Sequence, residues 1–231
     1  MRDSLLLWDI DGTLVSMDHA GERALLAAIR ELYQRDLGAK LPLDLRGRTD
    51  TSIARDLLAH LGVTGGPEEE KRLLAGYLAH MPVTIPAGKA RVLVGIHEAL
   101  EAVHAHPEIH QALLTGNLEA GAKMKLSFLD LWKYFEFGAF ADDSHIRDEL
   151  GPFALRRAKE KLGITFPPER VYIIVDTPHD IACGKAIGAK TIAVATGAFT
   201  VEQLTALNPT HTFADFSDTQ ALLDAVVLSS K

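Results

Sequence analysis

Cysteine occurs once in the 231 residues, at Cys183, which excludes an intrachain disulfide and a cysteine-rich zinc site and fits a reducing compartment. A cytoplasmic protein is the expectation. Long apolar runs are missing too. Leu5-Leu6-Leu7-Trp8 stops at Asp9, too short for the apolar region of a signal peptide and far short of a membrane span. The chain therefore reads as soluble and unprocessed, with no membrane partner. Positive charge is in deficit: 24 Lys and Arg face 31 Asp and Glu, a formal −7, so no broad basic surface is on offer to a nucleic-acid backbone. No internal repeat, low-complexity tract or long charge run marks a linker or a disordered tail, and no obligate protein partner is signalled. Apolar residues make up 47% of the chain, enough for one sizeable core with material left for a smaller appended unit.

Ser4 to Trp8 is apolar on nearly every residue and ends in acids and glycine, as expected of a central strand buried on both faces. Residues 20–37 carry Leu25, Ala28, Ile29 and Leu32 at helical spacing, a second helical stretch covers 51–61, and a third follows Gly65-Gly66-Pro67 and should end before Pro82. Residues from about Met17 to Pro86 thus read as wholly helical. We expect an inserted helical cap over 17–86 and a catalytic core over 1–16 and 87–231. After Gly88 helices near 95–106, 118–130, 148–163, 179–188 and 217–228 alternate with strands near 109–115, 136–140, 170–175 and 190–195. The class is α/β: a Rossmann-like three-layer α/β/α core with a parallel sheet, plus the inserted α-helical cap.

In open sheets of this kind, sites form beyond the carboxyl ends of the strands. Three proposed strands end in short polar runs: Asp9-Ile10-Asp11-Gly12-Thr13, Thr115-Gly116-Asn117, and Asp176-Thr177-Pro178-His179-Asp180. Where a strand loosens into a turn, Asp9 can face a phosphorus atom while Asp11 approaches the leaving-group oxygen. A carboxylate that attacks phosphorus divides one hard hydrolysis into two easier displacements, and a neighbouring acid/base typically adds about 10²–10⁴-fold. Carboxylates and a phosphate dianion repel each other, so a cation is needed. Asp9, the Asp11 carbonyl, Asp176 and Asp180 form an all-oxygen set suited to Mg²⁺. Thr115, Gly116 and Asn117 offer hydroxyl and backbone donors at the start of a helix, a favourable place for phosphate oxygens. One positive side chain should balance the transferring group. Arg147, ahead of the 148–163 helix, and Lys125, within the 118–130 helix, both remain open for that task, with Arg147 better placed.

Taken together these residues resemble the haloacid dehalogenase superfamily, in particular its phosphoglycolate phosphatase-like branch with a helical cap inserted after the first motif. The first motif of that family is matched by Asp9, Asp11, Gly12, Thr13 and Leu14, the second by Thr115. The last motif keeps Asp176 and Asp180 but has Val175 where glycine is usual, a side chain that either crowds the metal site or packs into the sheet. The family's Lys-Pro third motif has no counterpart in this chain. The resemblance implies a Mg²⁺-dependent phosphatase acting on a small phosphorylated metabolite, with Asp9 as nucleophile and Asp11 as acid/base. It also implies that the Arg46 to Asp50 loop faces the site, where Arg48 either reads an anionic part of the substrate or is, as the residue type more often is, a plain surface arginine. A sugar phosphomutase shares these motifs, and a non-catalytic phosphate-binding module is the rival of another class. A dehalogenase would lack the second acid that Asp11 supplies. His104, His106 and His110 straddle a helix end beside Pro107 and read as surface residues rather than metal ligands.

Overall fold

The computed structural model describes residues 3–227, apart from the side chains of Ala182, Cys183, Lys185 and Ala186. The chain begins β1 Ser4–Trp8, β2 Val15–Ser16, α1 Ala20–Tyr33, α2 Asp50–His60, α3 Gly66–Thr84 and β3 Arg91–Val92. It continues α4 Ile96–Ala105, β4 Ile109–Leu114, α5 Glu119–Phe128, β5 Gly138–Ala139, α6 Leu150–Leu162, β6 Val171–Val175, α7 Pro178–Ala186, β7 Lys190–Val194, α8 Val201–Thr205, β8 His211–Phe213 and α9 Thr219–Val227.

Six strands pair in the order β5-β4-β1-β6-β7-β8, every pair parallel. All five residues of β1 are buried, which is why that strand carries no polar face: helices cover both sides. Leu6, Trp8, Tyr172 and Ile174 pack with residues of α4, α5 and α9, such as Leu100, Leu126 and Leu222. Leu5, Leu7, Ile173 and Val175 pack on the other side with Leu150, Ala154, Ile181 and Leu204 of α6, α7 and α8. The result is a three-layer α/β/α core. Because β4 lies on one side of β1 and β6 on the other, the chain reverses its direction of sheet-building at β1, and a crevice opens beyond its carboxyl end.

Helices α1, α2 and α3 pack through Ala24, Leu25, Ala28, Ile29, Ile53, Leu57, Leu73 and Tyr77 and stand between β2 and β3. Those two strands pair antiparallel, Val15 with Val92 and Ser16 with Arg91, so chain enters and leaves the helical unit through one short ribbon. The two-residue strands β2 and β3 carry no periodicity, and neither they nor β8 and α8 are visible in the sequence pattern.

The helical unit departs from expectation in two ways. Helix α3 does not end before Pro82 but continues to Thr84. The proline removes one donor, yet Tyr77, Met81 and Thr84 lie on a buried face, and the Ile85 N–H again reaches Met81 O at 3.0 Å. Burial outweighs one lost bond. Residues 34–49 are also not helical: Gln34 takes a left-handed φ of 54° that ends α1, and the chain crosses to α2 as a loop. The last residue of the expected 217–228 helix lies outside the described residues. No described helix is long and apolar enough to cross a membrane.

Candidate active site

The three polar runs meet at the crevice. Asp9 continues the line of β1, its N–H donating to Ile174 O of β6 at 3.0 Å, and then the backbone turns. Gly12 makes the turn possible at φ 84°, and a Cβ there would fall 2.3 Å from Asp176 Oδ2. A side chain would close the space beside that carboxylate. Thr13 Oγ1 donates to Asp176 Oδ1 at 3.3 Å. One turn into the next connection, Thr177 caps α7: its hydroxyl accepts from the Asp180 N–H and donates to Asp180 Oδ2. Asp180 is thereby turned inward rather than toward solvent.

Asp9, Asp176 and Asp180 are 6, 4 and 1% exposed, and a carboxylate oxygen from each lies within 4.8 Å of the others. Burial pushes Asp9 up to about 6, with Arg147 opposing the shift and Asp180 adding to it. Asp176 rises to about 8, first through burial and then through its neighbours Asp9 and Asp180. Crowding of like charge in a dry place is what a cation relieves, and the donors are all oxygens, which suits a small hard cation. Among the described residues no other group of acids, histidines or cysteines closes up in this way. His104, His106 and His110 instead line a separate hollow of about 290 Å³, where His110 pairs with Asp3 at 3.1 Å.

Both candidate cations enter the crevice, each on a different acid. Arg147 Nη2 lies 2.8 Å from Asp180 Oδ1 and 3.2 Å from Asp9 Oδ1. Lys125 Nζ donates to Asp11 Oδ2 and Asn117 Oδ1, each at 2.5 Å. Asn117 Nδ2 in turn donates to Asp11 Oδ2 and to Thr115 Oγ1, both at 2.9 Å. Gly116 and Asn117 form part of the cleft wall, and Thr115 is fully buried. Arg48 also lines the cleft, but its guanidinium is turned onto Asp56 at 2.6 Å and Ser52 O at 3.3 Å. The cleft holds about 570 Å³, its floor made by Asp9, Asp11, Asp176, Lys125 and Arg147 and its roof by Leu25, Leu45, Ile53 and Tyr77.

A family model described as HAD-hydrolase-like matches residues 149–219, the stretch that carries Asp176 and Asp180. Over 222 residues the chain is 27% identical to "Probable phosphatase IndB" of Dickeya dadantii, covering 93% of this chain and 90% of that protein. In sequence the chain is similar to the haloacid dehalogenase-like hydrolases. It is also 24% identical to the pyrophosphatase PpaX of Halalkalibacterium halodurans, matched over 84% of each chain. A hydrolase from Pseudomonas syringae superposes with a TM-score of 0.72 at 18% identity, over 97% of this chain and 99% of that one.

Val175 stands where the resembling family usually has glycine. Its side chain is fully buried among Leu5, Leu7, Ile173, Ile181 and Ala193, so it packs into the sheet. Sequence reasoning missed Asp50, a residue type that could itself cap α2. Thr49 is that cap, accepting from the Ser52 N–H at 3.1 Å, and the Asp50 carboxylate points instead at α5, accepting from the Leu118 N–H at 2.8 Å. Tyr77 was missed as well, since an aromatic at helical spacing reads as core. It is core, at 2% exposed, and also part of the cleft roof.

Proposed function

We propose that the chain is a Mg²⁺-dependent phosphatase that hydrolyses a small phosphorylated metabolite through an aspartyl-phosphate on Asp9, with residues 17–86 as its cap and 1–16 with 87–231 as its catalytic core. One observation carries this reading: the two β1 aspartates are divided between different partners, Asp9 among buried acids under Arg147 and Asp11 apart from them on Lys125. That division separates a nucleophile from a proton carrier.

Asp9, the Asp11 carbonyl, Asp176 and Asp180 would hold the ion, which supplies charge to offset the phosphate dianion. Arg147 draws the transferring phosphoryl group toward Asp9, and the Gly116 and Asn117 backbone, with Thr115 behind it, receives the remaining oxygens. As an Asp9 oxygen bonds to phosphorus, the bond to the leaving oxygen breaks, and Asp11 gives that oxygen its proton. Asp11, now ionised, takes a proton from the water that releases phosphate and regenerates Asp9. Arg48 lines the cap side, where an anionic part of the leaving group would lie. A cleft of about 570 Å³ beneath a docked cap suits a small ester. A cytoplasmic setting goes with this reading, on the single cysteine. Val175 packs into the sheet core, which favours the catalytic reading over a binding module.

Phosphate release from p-nitrophenyl phosphate and a panel of small esters, with and without Mg²⁺, tests the proposal. Turnover that requires the ion and disappears in Asp9→Asn is expected. No turnover of any ester would overturn it, and an isomeric product without free phosphate would make the chain a mutase.

A further inference from the structure

Helix α5 starts without a capping side chain of its own, because its N-cap residue is Leu118. Two acids from elsewhere supply acceptors at its start: Asp142 Oδ2 receives the Glu119 N–H at 2.7 Å, and from the helical unit Asp50 Oδ2, at the first residue of α2, receives the Leu118 N–H at 2.8 Å. The Asp50 N–H donates to Gly116 O at 2.7 Å. Two bonds from one residue therefore bracket the 116–118 loop. The approach is close enough to require glycine, since a Cβ on Gly116 would lie 2.0 Å from Arg48 O.

That loop carries Asn117. Together Asn117 and Lys125 fix a single oxygen of the proton carrier, Asp11 Oδ2, at 2.9 and 2.5 Å. Asp11 Oδ1 has no partner among the described residues, and the side chain is 45% exposed, lining the cleft, while Lys125 is 6% exposed. Lys125 has its ammonium engaged by Asp11 and Asn117, which leaves it poorly disposed to take a phosphate oxygen. Undocking the α1–α3 unit would remove both bonds from the 116–118 loop and loosen the shell around Asp11.

We propose that Asp50 and Lys125 are positioning residues for Asp11: Lys125 locks one carboxylate oxygen, Asp50 braces the loop that completes the lock, and proton transfer is set up only when the helical unit is docked. This rests on the phosphatase reading above, in which Asp11 gives its proton to the leaving oxygen as the Asp9–phosphorus bond forms. An alkoxide leaving group needs that proton. A p-nitrophenolate, already stable as an anion, does not, so the two kinds of ester separate a misplaced acid from a generally damaged site.

The experiment compares kcat on ethyl phosphate and on p-nitrophenyl phosphate, with Mg²⁺, for the natural protein, Asp50→Ala, Asp50→Asn and Lys125→Met. Because general acid catalysis is worth about 10²–10⁴-fold, Asp50→Ala and Lys125→Met should lose roughly 10- to 100-fold more on ethyl phosphate than on p-nitrophenyl phosphate. Asp50→Asn keeps an acceptor for the Leu118 N–H and should recover most of the difference. Equal losses on the two esters, or an Asn variant no better than Ala, would overturn the proposal while leaving the phosphatase reading intact. No turnover of either ester by the natural protein would overturn both. Should Asp50→Ala not fold, the ester split in Lys125→Met decides alone.

Discussion

The two aspartates that leave β1 two residues apart end in opposite surroundings. Around Asp9 three carboxylates, Asp9, Asp176 and Asp180, are buried together against the guanidinium of Arg147. Around Asp11 the balance is reversed: one part-exposed carboxylate has a buried ammonium and an amide on the same oxygen. The same strand end thus makes one half that is short of positive charge and one that supplies its own. The first half has reason to recruit a cation, and the second has reason to hold still. A strand loosening into a turn produces this split cheaply, because successive side chains leave in different directions and Gly12 then folds the chain back beside Asp176.

The comparison breaks most visibly at the two aspartates themselves. Asp9→Asn removes the proposed nucleophile, and turnover of every ester should fall to background with no phosphoenzyme trapped by rapid acid quench. Asp11→Asn should cost about 10²–10⁴-fold, and more on alkyl than on aryl esters. If both substitutions silence all esters alike, the division of labour is wrong. Arg147→Met tests the charge balance without chemistry. It leaves Asp9 and Asp180, 8 and 1% exposed, without their shared cation, and breaking a buried pair from one side costs about 3–5 kcal/mol. Denaturant unfolding of the metal-free variant at pH 8 should show that loss, and Mg²⁺ should return part of it.

A smaller effect concerns pH. Asp9 and Asp176 are raised to about 6 and about 8 from 3.8, so the folded protein holds protons that the unfolded chain has released. Their stabilising contribution is complete below about pH 4 and is lost as pH rises through 6 and then 8. The metal-free protein should therefore melt at a lower temperature at pH 8.5 than at pH 5.5. Even one unit of the shift is about 1.4 kcal/mol, which corresponds to roughly 3–6 °C in a chain of this size. Mg²⁺ binds the ionised cluster, so its stabilisation should grow over the same interval. A melting temperature that is flat across it, or a Mg²⁺ effect larger at pH 5.5, would contradict the crowding assigned to the Asp9 half.

How far each half was legible follows from where its information lies. The Asp9 half sits in three contiguous runs at strand ends, and apolar strands of five or six residues announce those ends, so Asp9, Asp176 and Asp180 could be named from spacing alone. Arg147 could be given only a position ahead of α6, because its meeting with Asp9 and Asp180 depends on how the Arg147–Glu149 turn lies against α7. The Asp11 half is written in tertiary contacts. Lys125 lies ten residues beyond Thr115 on a helix face, and Asp50 belongs to a different helix, whose own N-cap is Thr49. Nothing local tells Asp50 to cap α5. The parallel sheet was visible because buried strands alternate with helices, whereas the β2–β3 ribbon, two residues on each side, has no pattern to read.

The smallest expected effect lies on the roof of the cleft. Arg48 differs from Arg147 and Lys125 in being 27% exposed and paired with Asp56, itself 51% exposed. A pair so open to water is worth about 0–1 kcal/mol, so Arg48→Ala should unfold within that margin of the natural protein. Its consequence for turnover depends on whether the guanidinium leaves Asp56 for substrate. An ester with an anionic leaving group would have to compete with the Asp56 carboxylate, and a contact made equally in the bound ester and in the transition state alters KM rather than kcat. Arg48→Ala should then raise KM a few-fold at constant kcat, and Asp56→Ala, which frees the same guanidinium, should lower it. If both substitutions leave KM unchanged for charged and uncharged leaving groups, Arg48 only closes the wall of the cleft, and recognition rests with the floor.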